Sequence, residues 1–160
     1  MIYILDKLGF PTKICNLIKS MYKKTKSKYI FGEIETDWVT LERGVRQGCV
    51  LSPLLFSLYT EELAARVRES GLGVNINGNK INILLYADDI VLIAENEDTI
   101  QEMLNIVNDY GNEFSMSFNN NKCGVMAINK PEGGKEEFKL GNKKDETIRP
   151  FHHRVYALIM

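Results

Sequence analysis

The sequence predicts an α+β domain built on a mostly antiparallel sheet, and three observations carry that expectation. Apolar residues recur at helical spacing in three segments, β-prone runs fill the stretches between them, and the elements follow the order α, β, β, α, β, β, α, β. At 160 residues, 44% apolar and 26% charged, the chain suits one globular domain or a piece of a larger one, and not a disordered segment. No apolar run approaches the roughly 18 residues that a membrane helix needs. The first six residues are too briefly apolar, and too soon acidic at Asp6, for a secretory signal. Cys15, Cys49 and Cys123 are odd in number and far apart, which fits neither a disulfide framework nor a cysteine zinc site. The expected setting is therefore a reducing intracellular compartment, nuclear or cytoplasmic.

The elements follow in order. Leu5 and Leu8 suit a short helix ended by Gly9, and Pro11 suits the first turn of the next. Ile14, Leu17, Ile18, Met21 and Tyr22 form its apolar stripe. Tyr29-Ile30-Phe31 and Trp38-Val39-Thr40-Leu41 read as a hairpin around a loop at 33–37. A loop at 44–48 leads to Ser52-Pro53, an N-cap and first-turn pair for a helix with the stripe Leu55, Leu58, Tyr59, Glu62 and Leu63, stopped by Gly71 and Gly73. Asn77-Gly78 turns one strand at 74–76 into another from Ile81. Asn96 caps a helix with Glu97 and Asp98 in its first turn and Ile100, Met103, Leu104, Val107, Gly111 and Phe114 along one side. A last strand is expected at 124–128. The expected organisation is one domain over 1–129 and an unassigned polar tail over 130–160.

The formal net charge of −1 conceals segregation. Residues 7–32 carry Lys7, Lys13, Lys19, Lys23, Lys24, Lys26 and Lys28 and no acid, while residues 81–121 carry eight acids and no base. The first block suits a phosphate backbone and the second suits divalent cations; two solvated helix faces would give the same pattern. Within the acidic block, Asp88 and Asp89 lie between the runs Ile83-Leu84-Leu85-Tyr86 and Ile90-Val91-Leu92-Ile93. Such runs read as strands buried on both faces, where paired carboxylates are costly without compensation. Adjacent strand residues face opposite ways, so the pair can serve one site only if the chain turns there. A divalent cation is the usual remedy for two such carboxylates, and a tight turn that happens to use Asp is the plain alternative.

Tyr86-Ala87-Asp88-Asp89 resembles the YxDD signature of reverse transcriptases, and Arg46-Gln47-Gly48-Cys49-Val50-Leu51-Ser52-Pro53-Leu54-Leu55-Phe56 resembles their RQGxxLSPxLF segment, in the expected order and spacing. Leu8-Gly9-Phe10-Pro11 with the helix after it is similar to the stretch before that segment in non-LTR, LINE-like retrotransposon polymerases. The stretch from Asn119 to Lys122 resembles a later N-x-x-K stretch. The resemblance implies a palm subdomain of a right-hand polymerase, with helices packed on one face of its sheet. It also implies Mg²⁺, with Mn²⁺ as a substitute, held by Asp88 and Asp89 in a two-metal nucleotidyl transfer to a primer 3′-end. On the same footing Arg46, Gln47, Gly48 and Tyr86 would meet nucleotide or primer, and Lys122 would act catalytically by protonating or neutralising pyrophosphate. Lys13, Lys19, Lys23, Lys24, Lys26 and Lys28 would contact nucleic acid. Implied partners are an RNA template, a DNA primer and deoxynucleoside triphosphates, with no membrane; nothing in the sequence speaks to oligomeric state.

The family pattern also includes a further metal-binding Asp on a strand before the segment matched here, with fingers upstream and a thumb downstream. Asp6, in a helix, and Asp37, in a hairpin loop, do not match that Asp. The expectation is thus a fragment inactive on its own. Its rivals are a non-catalytic nucleic-acid-binding remnant and a fragment of a group II intron or retron-type enzyme.

Overall fold

The computed structural model describes residues 1–41, 44–46, 48–119, 122–127 and 137–141, with the backbone alone of 147–148, 150–151 and 156–159. The chain forms two compact units, Met1–Tyr59 and Thr60–Met160. No helix among the described residues is long and apolar enough to cross a membrane.

The first unit opens with α1 (Ile2–Lys7) and α2 (Thr12–Tyr22), separated where Gly9 takes φ +78° and Pro11 caps the second helix. Its core is small: Leu5, Cys15, Ile18 and Leu55 are buried, with Met1, Ile2, Tyr22 and Leu58 packed around them. The expected stripe on α2 is only half used. Ile18 is buried, but Ile14 and Leu17 are exposed, and Cys15 fills the seam instead. A seam this narrow admits about one residue per turn, so a broad apolar stripe cannot all be covered.

Next come two nested antiparallel ladders. β1 (Lys26–Ser27) pairs with β4 (Val39–Thr40), and inside them β2 (Ile30–Phe31) pairs with β3 (Ile34–Glu35). The turn is Gly32-Glu33, tighter than the expected loop at 33–37. Gly32 supplies φ +61° at the first central position, so pairing extends as far as the Thr36 amide on the Tyr29 carbonyl at 3.0 Å. The helix α3 (Ser52–Glu69) begins at Ser52 itself, and the Leu55 amide already bonds to the Leu51 carbonyl. Ser52 therefore lies inside the first turn rather than capping it.

In the second unit, β5 (Val74–Ile76) and β6 (Asn79–Ile81) meet at Asn77-Gly78, both at positive φ, as a type I′ two-residue hairpin requires. β7 (Ile83–Tyr86), β8 (Asp89–Ala94), α4 (Glu97–Phe114) and β9 (Gly124–Met126) follow, then the short strands β10 (Phe138–Lys139), β11 (Thr147–Ile148), β12 (Pro150–Phe151) and β13 (Tyr156–Ile159). The main sheet has the order β12-β9-β13-β8-β7, antiparallel except at β12 and β9. β8 and β9 are thus parallel to each other, joined by α4 and split by β13, a split β-α-β arrangement. β10 to β13 come from residues beyond 129, where no periodicity is legible. Of the last expected strand, residues 124–126 are extended, and Ile128 lies outside the described residues.

The core of this unit lies on one side of the sheet. Ile83, Ile90, Leu92, Ala94 and Val125 meet Leu63, Ala64 and Val67 of α3 and Ile100, Met103, Leu104, Val107 and Tyr110 of α4. On the opposite side, among the described residues, Leu84 is 53% exposed and Tyr86 82% while Val91 and Ile93 are half-buried, which corrects the expectation of strands buried on both faces. An apolar run cannot by itself report whether its second side is covered. α4 starts as expected, its Asn96 side chain accepting from the Thr99 amide at 2.8 Å. Tyr110, with no part in the expected stripe, is fully buried and stacks on Phe114 at 4.6 Å, while the Arg66 guanidinium lies over both rings and bonds Glu113 at 2.7 Å.

Asn82 is the buried polar hinge between the small hairpin and β7. Its side-chain amide nitrogen donates to the carbonyls of Val67 at 3.1 Å and Leu72 at 3.2 Å, and its backbone carbonyl accepts from the Ile93 amide at 2.8 Å. Gly73 packs against this point at φ +127°, where a Cβ would meet the Ile81 carbonyl oxygen at 2.6 Å and the Asn82 Cβ at 2.7 Å. We expect Asn82→Leu to cost about 1–3 kcal/mol by orphaning the two carbonyls. Gly73→Ala should cost about 2–4 kcal/mol through backbone strain and overpacking. Urea titration checks both, with unchanged midpoints as the contrary result.

Candidate active site

The acidic pair sits at the tip of the β7–β8 hairpin. Tyr86 pairs with Asp89, so the two loop residues are Ala87 and Asp88, not the two aspartates. Ala87 takes the positive φ, +52°, at the first central position, which leaves Asp88 at an ordinary negative φ. That division explains how the turn closes without glycine: the smallest side-chain-bearing residue occupies the strained position. Asp88 and Asp89 are both exposed, and Tyr86 stands directly across from Asp89 on the side of the sheet away from α3 and α4. The setting is wet, so the case for a counter-ion based on dry surroundings does not apply.

What remains is donor chemistry. Two neighbouring carboxylates present hard oxygen ligands with open positions around them, which suits Mg²⁺, an ion that takes one or two carboxylates and completes its shell with water or phosphate oxygens. Among the described residues no group of three or more His, Cys, Asp or Glu side chains gathers as a preformed metal cage.

Lys122 is exposed and precedes β9 by two residues. Through β13, Gly124 of β9 is level with Val91 of β8, because both face Ile159. Asp89 opens β8 two residues before that level, and Lys122 lies two residues before β9 in a turn where its amide bonds the Asn119 carbonyl at 2.8 Å. They therefore lie toward one end of the sheet, with β13 between β8 and β9. Tyr86, Asp88, Asp89 and Lys122 are brought to this end by topology alone.

Arg46 and Gly48 belong to the first unit, and Gln47 lies outside the described residues. Gly48 takes φ +75° in the turn before α3. The Ser52 hydroxyl donates to the Arg46 carbonyl at 2.6 Å and lies 3.2 Å from the Tyr22 hydroxyl. The Arg46 guanidinium lies over the Tyr22 ring, 5.9 Å from its centre, and donates to the Thr25 hydroxyl at 3.2 Å. The Leu51 amide, then the Ser52 hydroxyl, the Ser52 amide and the Tyr22 hydroxyl hold the Cys49 thiol below its ordinary pKa. Burial pushes Cys123 upward. Sequence reasoning passed over this cluster, since Tyr22 counted as a helix-stripe residue and Ser52 as a helix start within the matched segment, with nothing to link the two.

The basic block is not one helix face. Lys13 and Lys19 lie on different sides of α2, Lys23 and Lys24 follow it, and Lys26 is in β1, all exposed. Lys28 is drawn into an ion pair with Glu35 and lies 5.3 Å from the Trp38 ring centre.

The family model described as reverse transcriptase (RNA-dependent DNA polymerase) matches residues 2–149. The retrovirus-related Pol polyprotein from type-1 retrotransposable element R2 of Nasonia vitripennis is 32% identical over 151 residues, 92% of this chain and 14% of that protein. Its counterpart in Popillia japonica is 31% identical over 126 residues, 78% of this chain and 18% of that protein. The RNA-directed DNA polymerase from mobile element jockey of Drosophila funebris is 29% identical over 122 residues, 72% of this chain and 13% of that protein. The chain thus spans less than a fifth of the length of each of these relatives.

Two outcomes follow from the geometry. Ala87→Val forces a β-branched residue to positive φ and should cost about 1–2 kcal/mol, whereas Ala87→Gly should be near neutral; thermal melts of the two variants separate them. Alkylation follows the thiolate fraction, so the rate at Cys49 should reach half its plateau at lower pH than an ordinary thiol, and at Cys123 at higher pH. Peptide mass spectrometry after brief iodoacetamide pulses checks the order.

Proposed function

We propose, from the premise that this chain belongs to the reverse transcriptase (RNA-dependent DNA polymerase) family, that it is the palm portion of a non-LTR retrotransposon's RNA-directed DNA polymerase. The observation that carries this is the presentation of Asp88 and Asp89, exposed, on a hairpin whose opposite side packs on α3 and α4. The substrates of the whole polymerase would be an RNA template, a DNA primer and deoxynucleoside triphosphates.

Each residue's role is the one that family membership implies, and its chemistry suits that role. Asp88 and Asp89 hold Mg²⁺, or Mn²⁺ in its place. A hard cation there would ease deprotonation of a primer 3′-hydroxyl and offset charge on departing pyrophosphate. Tyr86, opposite Asp89, offers an exposed ring for the terminal primer base. Lys122, at the same sheet end, supplies a cation or proton to the leaving group. Arg46 meets phosphate oxygens, and Gly48, with no side chain, lets backbone approach the nucleotide, with Gln47 between them. The exposed Lys13, Lys19, Lys23, Lys24 and Lys26 lend phosphate-backbone affinity, to which Lys28 adds less because Glu35 engages it. Those same exposed lysines favour a second reading, a nucleic-acid-binding remnant without chemistry.

Millimolar Mn²⁺ should raise the melting temperature by about 2–5 °C, and Asp88→Ala with Asp89→Ala should abolish the rise. A melting temperature indifferent to metal counts against the site. With two carboxylates at the hairpin, the 160-residue chain on its own should not extend an oligo(dT) primer on poly(rA). Metal-dependent extension lost in Asp88→Ala would show that the pair suffices. Duplex binding that survives Asp88→Ala without divalent ions, and weakens steeply with salt, would favour the second reading.

A further inference from the structure

The loop that the family motif supplies is held by a residue outside that motif. Ser52 has a single hydroxyl proton, and it is directed to the Arg46 carbonyl at 2.6 Å. The 3.2 Å contact between Ser52 and Tyr22 must then run the other way, with the Tyr22 hydroxyl donating. Tyr22 thereby fixes the oxygen that fixes the Arg46 backbone. The same tyrosine holds the Arg46 side chain: its ring lies under the guanidinium, and its carbonyl accepts from the Thr25 hydroxyl at 3.1 Å, the hydroxyl to which Arg46 donates. The Cys49 amide closes on the Arg46 carbonyl at 3.4 Å and the Ser52 amide on the Cys49 carbonyl at 3.1 Å, so the turn after Arg46 is stitched to the same point.

We propose that Tyr22, the last residue of α2, is a positioning residue that fixes Arg46 and the turn containing Gly48 and Cys49 in the form a nucleotide's phosphates meet. This rests on the reading of that loop as part of a nucleotide pocket. Tyr22 touches no phosphate itself. It acts through Arg46 and Ser52, ring and hydroxyl contributing separately.

Cys49 reports the state of the turn, because its thiol, held low first by the Leu51 amide, lies beside the Ser52 and Tyr22 hydroxyls, whose dipoles and placement set its surroundings. The test follows iodoacetamide alkylation of Cys49 across pH, with and without deoxythymidine triphosphate and magnesium. In the unaltered chain the nucleotide should slow alkylation of Cys49 and leave Cys123 unaffected. Tyr22→Phe keeps the ring and loses one hydrogen bond, so half-protection should need about fivefold more nucleotide. Its Cys49 rate profile should move to higher pH. Ser52→Ala should move the profile the same way, and Ser52→Thr, which keeps the hydroxyl, should restore it. A purely structural role would lower the melting temperature and leave the pH profile in place. A Tyr22→Phe profile that coincides with the unaltered one overturns the positioning role, whatever the nucleotide does. Absence of protection in the unaltered chain overturns the nucleotide reading of the loop, and a shifted Tyr22→Phe profile in that case leaves its hold on the turn standing.

Discussion

Strand parity governs the second unit. Ile90, Leu92 and Ala94 are buried against α4, so with a side-chain period of two Val91 and Ile93 fall on the other side, and Asp89 with them. A slip of one residue would bury a carboxylate and expose three apolar side chains, a change too costly to coexist with the native register. Pairing Asp89 with Tyr86 then leaves Ala87 and Asp88 as the loop. Where the carboxylates end up is therefore a by-product of where the core needs its isoleucines and leucines. The chemistry at the tip inherits its geometry from packing on the far side of the sheet.

The first unit works on a different principle. Its buried cluster is four residues with a few partly covered neighbours, too little apolar surface to position a loop accurately. The turn after Arg46 is instead held by polar contacts that converge on Tyr22, Thr25 and Ser52. Such contacts have narrow distance and angle preferences, so they fix a loop more sharply than apolar burial of the same extent, and they fail more abruptly when one member is lost.

Features encoded by neighbouring residues were readable from the sequence. The Asn96 cap, the Asn77-Gly78 hairpin and the apolar stripe of α4 each declare themselves within a few positions. The Asp88–Asp89 pair was also visible, as polarity interrupting two apolar runs. Misreadings arose where the deciding partner is distant or missing. Apolar Leu84 and Tyr86 look like interior residues because a sequence records what a strand offers, not whether anything covers it. The Tyr22 and Ser52 hydroxyls, thirty positions apart, leave no periodic trace. Lys122 joins the aspartates only through the register of β13, whose four residues carry little local signal.

That register has a consequence for synthesis. β8 and β9 leave the ribosome in order, but the strand that pairs with both lies about thirty residues beyond β9. Until it arrives, the edges of β8 and β9 that will face it have no partner in the main sheet, and the apolar segment from Ile90 to Ile93 is an open template for another chain. Translation that pauses or stops within this interval would release a chain with its helices formed and its sheet divided, a form prone to pairing edge to edge with its own kind. Yield in a cell would then depend on elongation speed through residues 127–156 as much as on the equilibrium stability of the finished fold.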